Sequence, residues 1–153
     1  MQAIEWSEHM ALGVPAMDAA HRALLAQLAC LAEAGGDAFM LGYTALTTTL
    51  EREFREEEVL MARIHYPPRQ LHREQHARVL NGLRHADPFM RQGDTGPGRE
   101  VVQILPRWFL IHLSTLDLEL SVALELSGAH HQRPPDVALR AELARMLYQN
   151  RME

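Results

Sequence analysis

Nine histidines in a chain of 153 residues are the side chains to follow, because an imidazole set into an apolar helix face serves either as a hydrogen-bonding core group or as a metal ligand. His72 and His76 stand four apart, which puts both rings on one side of a helix at a separation that a single ion bridges. Glu53 and Glu57 are also four apart and fall between Leu50, Phe54, Leu60 and Met61, on the stripe that must face inward. Glu51 and Glu56 lie outside that stripe and Glu58 at its margin, so a solvated role suits all three. His21 interrupts the apolar set Met17, Leu24 and Leu25, and His112 follows Trp108 by one turn. Asp117 lies five residues beyond His112; five steps rotate about 140° around an α-helix, so periodicity does not select it.

These residues need helices to hold them. Met17, His21, Leu24, Leu25, Leu28 and Leu31 recur at helical spacing between a candidate N-cap at Asp18 and the stop signal Gly35-Gly36. A second helix is expected from about Asp37 or Tyr43 to Ile64, carrying Leu46, Leu50, Phe54, Leu60, Met61 and Ile64 and closed by Pro67-Pro68. A third starts near Arg69 with Leu71, His72, His76, Val79, Leu80 and Leu83 and is expected to stop before Asp87-Pro88. The fourth runs from about Arg99 to Leu126 through Val101, Leu105, Trp108, His112, Leu116 and Leu120, with a late start or a kink expected at Pro106. The expectation is an all-α, antiparallel up-down four-helix bundle over residues 1–128, preceded by an N-terminal arm. Residues 129–153 form an extension with a short final helix beginning at Asp136, packed on or beside the bundle.

Four inward histidines and two inward glutamates spread over four helices would be ruinous to bury without a cation. Mixed imidazole and carboxylate donors on facing helices suit a dinuclear iron or manganese centre better than structural zinc, and calcium would take oxygen alone.

The run Glu53-Phe54-Arg55-Glu56-Glu57-Glu58-Val59-Leu60-Met61, then Tyr66-Pro67 and His72-x-x-x-His76, resembles the signature of bacterial hemerythrins, as do Asp18-x-x-His21 and Trp108-x-x-x-His112-x-x-x-x-Asp117. The resemblance covers roughly Trp6 to Leu126. It implies two iron ions joined by an oxo or hydroxo bridge, with His72, His76 and His112 on one, His21 on the other, and Glu57 and Asp117 bridging them. It also implies dioxygen, or another small diatomic or peroxide, as the ligand, and a pocket for which Leu24, Phe54, Trp108, Phe109 and Leu113 are candidates. Ordinary core packing accounts for those five equally well.

One position departs from the family pattern: Glu53 stands where a histidine ligand precedes the phenylalanine. Either Glu53 turns away and a ligand is lost, or it binds the second iron as an anion. Two ferrous ions with two carboxylates and one hydroxide carry roughly one positive charge, and a third carboxylate brings the sum to about zero. A harder, more anionic set favours the ferric state and therefore autoxidation. The leading function is dioxygen binding for sensing, storage or delivery, with no catalytic residue singled out. A di-iron oxidase, peroxidase or nitric oxide-handling enzyme and an iron-reservoir or interaction module stay open.

Composition bounds the rest. A net charge of -5 without a basic cluster argues against nucleic acid or an anionic membrane as partner. MQAIEWSEHM has neither the basic start nor the apolar run of a signal peptide, so a cytoplasmic protein is expected, monomeric or a weak homo-oligomer. The extension offers a surface for an unknown protein partner. Cys30, alone in an apolar-rich run, is expected to be an ordinary buried thiol. His9, His65, His85, His130 and His131 are read as surface residues.

Overall fold

Each of the four apolar stripes finds a partner by packing on the next helix in the chain. A computed structural model of the protein describes residues 4–128. Helices α1 (Pro15–Glu33), α2 (Gly36–Arg63), α3 (Arg69–Arg91) and α4 (Gly96–His112) follow one another. A π-helical turn (Leu113–Asp117) then joins α4 to α5 (Leu118–Leu126). α1 packs on α2, α2 on α3, α3 on α4, and α4 back on α1, which closes an up-down bundle. Among the described residues there is no strand, and no helix is long and apolar enough to cross a membrane. The final helix expected from Asp136, His130 and His131 lie outside the described residues, as does the whole 129–153 extension.

The helix ends follow local chemistry. α1 opens earlier than expected because Pro15, with no N–H to satisfy, occupies its first turn. Asp18 is therefore inside the helix rather than at its cap, and its carboxylate reaches back to accept from the backbone N–H groups of Leu12 (2.7 Å) and Gly13 (3.1 Å). That pair of bonds ties the N-terminal arm to α1. α2 ends where His65 adopts a left-handed φ of 50° and the N–H of buried Tyr66 donates to Met61 O at 2.9 Å, a Schellman arrangement that turns the chain toward α3.

Two expected breaks do not occur. α3 continues through Pro88 to Arg91, since burying Ala86 and Met90 offsets one missing bond in its last turns. α4 starts at Gly96, earlier than Arg99, and stays helical through Pro106. Arg99 fastens that early start: its guanidinium donates to Ala34 O at 3.0 Å and lies 4.1 Å from the centre of the Phe39 ring.

The interior has two halves. Phe39, Tyr43, Leu46, Leu50 and Leu83 fill the end near the α1–α2 turn and are almost completely buried. Tyr43 keeps its hydroxyl satisfied there by donating to Leu83 O at 2.8 Å. The other half holds the polar cluster. Two apolar assignments fail: Cys30 is exposed, lying on the side of α1 opposite its buried stripe, and Leu71 is exposed because one helical step, about 100°, carries it off the face of His72.

Candidate metal centre

His21 from α1, Glu53 and Glu57 from α2, His72 and His76 from α3, His112 from α4 and Asp117 from the π turn are all buried. His9, His65 and His85 are exposed, as expected. Spacing explains six of the seven buried residues; the π turn explains the seventh. With hydrogen bonds spanning five residues, as from Leu118 N–H to Leu113 O, one turn takes five residues instead of four. Asp117 thereby stacks over His112 instead of rotating away from it.

The Nε2 atoms of His72, His76 and His112 converge: His76 and His112 are 3.2 Å apart, His112 and His72 3.1 Å. Donors about 2.1 Å from a shared ion and at right angles to one another lie about 3 Å apart. Each carboxylate faces both ways. Glu57 turns Oε2 toward His72 (3.3 Å) and His76 (3.2 Å) and Oε1 toward His21 (3.5 Å). Asp117 turns Oδ1 toward His72 (3.2 Å) and His112 (3.1 Å) and Oδ2 toward His21 (3.3 Å). The result is two overlapping donor groups, Glu57–His72–His76–His112 and His21–Glu57–Asp117, each with its ligand atoms within 4.8 Å of one another.

Close as they are, these groups do not satisfy one another. Glu57 Oε2 and both Asp117 oxygens are buried without a well-directed hydrogen bond, as are the Nδ1 atoms of His21, His72 and His76. Buried donors and acceptors are ordinarily paired; here the imidazole Nε2 atoms meet one another while these oxygens and Nδ1 atoms stay unpaired, an arrangement that fits cations placed between the members.

Protonation tells the same story. His21 is pushed up to about 10: burial opposes the charge, but Asp117 and Glu57 outweigh it. His72 rises to about 9 by the same balance. His76 is lowered, because burial and the neighbouring His72 and His112 prevail over Glu57. Glu57 falls to about 2 and Asp117 well below its usual value, each because surrounding imidazoles overcome burial. In the metal-free protein, protons on His21 and His72 thus supply positive charge that the carboxylates demand.

Glu53 sits beside the two groups without joining either. It is 5% exposed, its Oε1 has no partner, and burial pushes its carboxyl up to about 7, with His21 pulling the other way and Glu57 adding to the rise. Glu53 is thus buried next to the cluster yet outside both donor groups.

Aromatic rings wall the cluster. Phe54 stacks on His76 (3.9 Å between centroids, 3° between planes) and Trp108 on His112 (4.5 Å, 23°). Phe109 meets His21 edge-on at 5.2 Å. Of the pocket candidates, Leu24, Trp108 and Phe109 line an apolar crevice, whereas Phe54 and Leu113 pack as core. One contributor went unrecognised in the sequence: Glu58, half-buried, with Oε1 3.7 Å from His76 Nδ1 and Oε2 3.4 Å from Arg73. At that distance the carboxylate is a charge beside the His76 ring and not a hydrogen-bond partner for its Nδ1. No periodicity marks a residue at the stripe's margin for that role.

Two buried imidazole–carboxylate donor groups in the core of an up-down four-helix bundle could each hold a metal ion, which places the chain among bundles with a candidate metal centre. The comparison with known proteins narrows it. A bacteriohemerythrin from Ralstonia nicotianae is 34% identical over 128 residues, covering 84% of this chain and 93% of that protein, and the chain belongs to the hemerythrin family, whose members imply a non-haem di-iron site. No family model and no solved structure matches it.

Proposed function

We propose that the protein binds two iron ions and uses them to take up dioxygen, for sensing, storage or delivery. The observation that carries this is the double orientation of Glu57 and Asp117, each offering one oxygen toward the His72–His76–His112 side and the other toward His21. His72, His76 and His112 would hold the first iron, His21 and Glu53 the second, and Glu57 and Asp117, which face both groups, would serve both. When bound, the iron pair supplies the electrons that dioxygen accepts.

The chain's own groups set the conditions. Leu24, Trp108 and Phe109 keep the approach to His21 and His112 apolar, Phe54 holds the His76 ring flat, and Glu58 places a negative charge 3.7 Å from its Nδ1. Glu53 adds an anion where an imidazole would be neutral, which lowers the reduction potential and shortens the interval before the pair oxidises irreversibly. Such a site leans toward autoxidation.

Iron analysis together with optical spectra under air and after anaerobic reduction tests the reading. Two irons per chain are expected, with dioxygen uptake seen by stopped flow and partly reversed on deoxygenation. One iron or none would overturn it. Uptake fully reversed over many cycles would remove the role given to Glu53, and Glu53→His is expected to slow the irreversible step.

A further inference from the structure

Two spaces lie between helices α1 and α4 and share Leu28 as a wall. The outer one is an open groove of about 380 Å³, apolar at its floor, where Leu25, Leu28, Val102 and Pro106 meet, and polar at its rim, which carries Glu33, Arg99, Gln103 and Arg107. The inner one is the crevice of Leu24, Leu28, Leu105, Trp108 and Phe109, too tight to hold a water molecule. Leu28, 3% exposed, belongs to both. From Leu28 to His21 is seven residues of α1, about 10 Å along the axis, and the inner walls end on the imidazoles: Phe109 on His21 and Trp108 on His112.

We propose that dioxygen enters through this α1–α4 groove and that the Leu28 side chain is the partition it must pass. The inference rests on the function proposed above. Both spaces are apolar where they meet, so an uncharged apolar gas partitions into them while ions stay in water, and an apolar crevice stays dry. Pro106 has no N–H for the carbonyl of Val102, so the α4 wall lacks one helical rung beside the partition. For dioxygen to pass, the Leu28 side chain must swing aside and the tight inner crevice must widen, side-chain motions that are fast compared with ligand uptake.

A residue on the path moves association and dissociation together and leaves the equilibrium alone, which a change at the binding site does not. With iron-loaded protein, Leu28→Ala is expected to raise both dioxygen rate constants several-fold with an unchanged dissociation constant. Ala29→Trp, which plugs the outer groove from its half-buried rim, is expected to lower both and stands in should Leu28→Ala not fold. Rates unchanged in both variants, or a rise confined to Trp108→Ala, would overturn the route. In metal-free protein, dissolved xenon is expected to shift the methyl resonances of Leu28 and Leu24, and Ala29→Trp to abolish the shift; absence of any shift in the parent protein would also overturn it. If the iron-loaded protein takes up no dioxygen at all, the proposed function fails, and the xenon result alone decides whether the groove admits an apolar gas.

Discussion

Replacing Glu53 by glutamine, a near-isostere without the charge, should act in opposite directions on the metal-free and the iron-loaded protein. Burial raises the Glu53 carboxyl from 4.5 to about 7. A carboxyl with a raised folded value stabilises the fold while protonated: the contribution is complete below the unfolded value and is lost as pH rises through about 7. The rise of roughly 2.5 units, at about 1.4 kcal/mol each, makes the loss about 3 kcal/mol across that window. Glu53→Gln has no such loss. Urea denaturation of chelator-treated protein at pH 5 and pH 8 should therefore show the variant gaining on its parent by about 2–3 kcal/mol between the two. With iron bound the sign reverses, since the amide is a poor replacement for an anionic ligand, and the variant should retain less than its second iron. Equal pH dependence of the two metal-free proteins would refute the buried, unpaired carboxylate. A variant that keeps both irons as tightly as its parent would refute Glu53 as a ligand.

Metal uptake should release protons. His21 and His72, at about 10 and 9, are both charged at pH 7.5 in the metal-free protein, and ligation requires neutral rings, so roughly two protons per chain should appear in a pH-stat titration with ferrous or zinc ion; fewer than one would contradict the charge balance described. Asp117→Ala should reduce iron from two ions per chain to one, measured by elemental analysis, because it removes one of the two carboxylates that face both donor groups. Leu46→Ala, at a site with no exposure in the apolar half, should cost about 2–5 kcal/mol in denaturation while leaving the iron count unchanged.

Where a helix is regular, its buried face could be read from the chain. All six residues of the α1 stripe, from Met17 to Leu31, are buried, and the spacing that turned Glu53 and Glu57 inward and left Glu56 outside holds as well. The failures come from effects that period does not carry. Pro88 argues for a stop, but the burial of Ala86 before it and Met90 beyond it is a tertiary gain invisible to local propensity. Asp18 has the chemistry of a cap, yet its bonds run back to Leu12 and Gly13 in the arm. The apolar run around Cys30 suggests burial, although its angular position on α1 places it outward. Six of the seven buried site residues stand on stripes legible in the sequence, and Asp117 is reached only through the family resemblance; that Glu57 and Asp117 each look both ways depends on rotamers, which no spacing encodes.

The π turn is where residue and backbone explain each other. In a regular helix the residue four beyond His112 is Leu116, and Asp117 would point about 100° away from it; the extra residue in the turn Leu113–Asp117 brings the carboxylate under His112. Such a turn resembles a one-residue insertion, so α5 beyond it keeps the phase of a helix one residue shorter, and Leu120 and Leu124 still reach the core. Deleting Thr115, which is exposed, should therefore be tolerated, as few deletions inside a bundle helix are: the chain closes into a plain α-helix with Asp117 four residues from His112 and the α5 core contacts in register. The metal-free deletion variant is expected to fold with a thermal midpoint no lower than the parent's, measured by circular dichroism. A variant that unfolds, or that folds with α5 detached, would show that the π turn is required by the packing of α5 and not by the placement of Asp117.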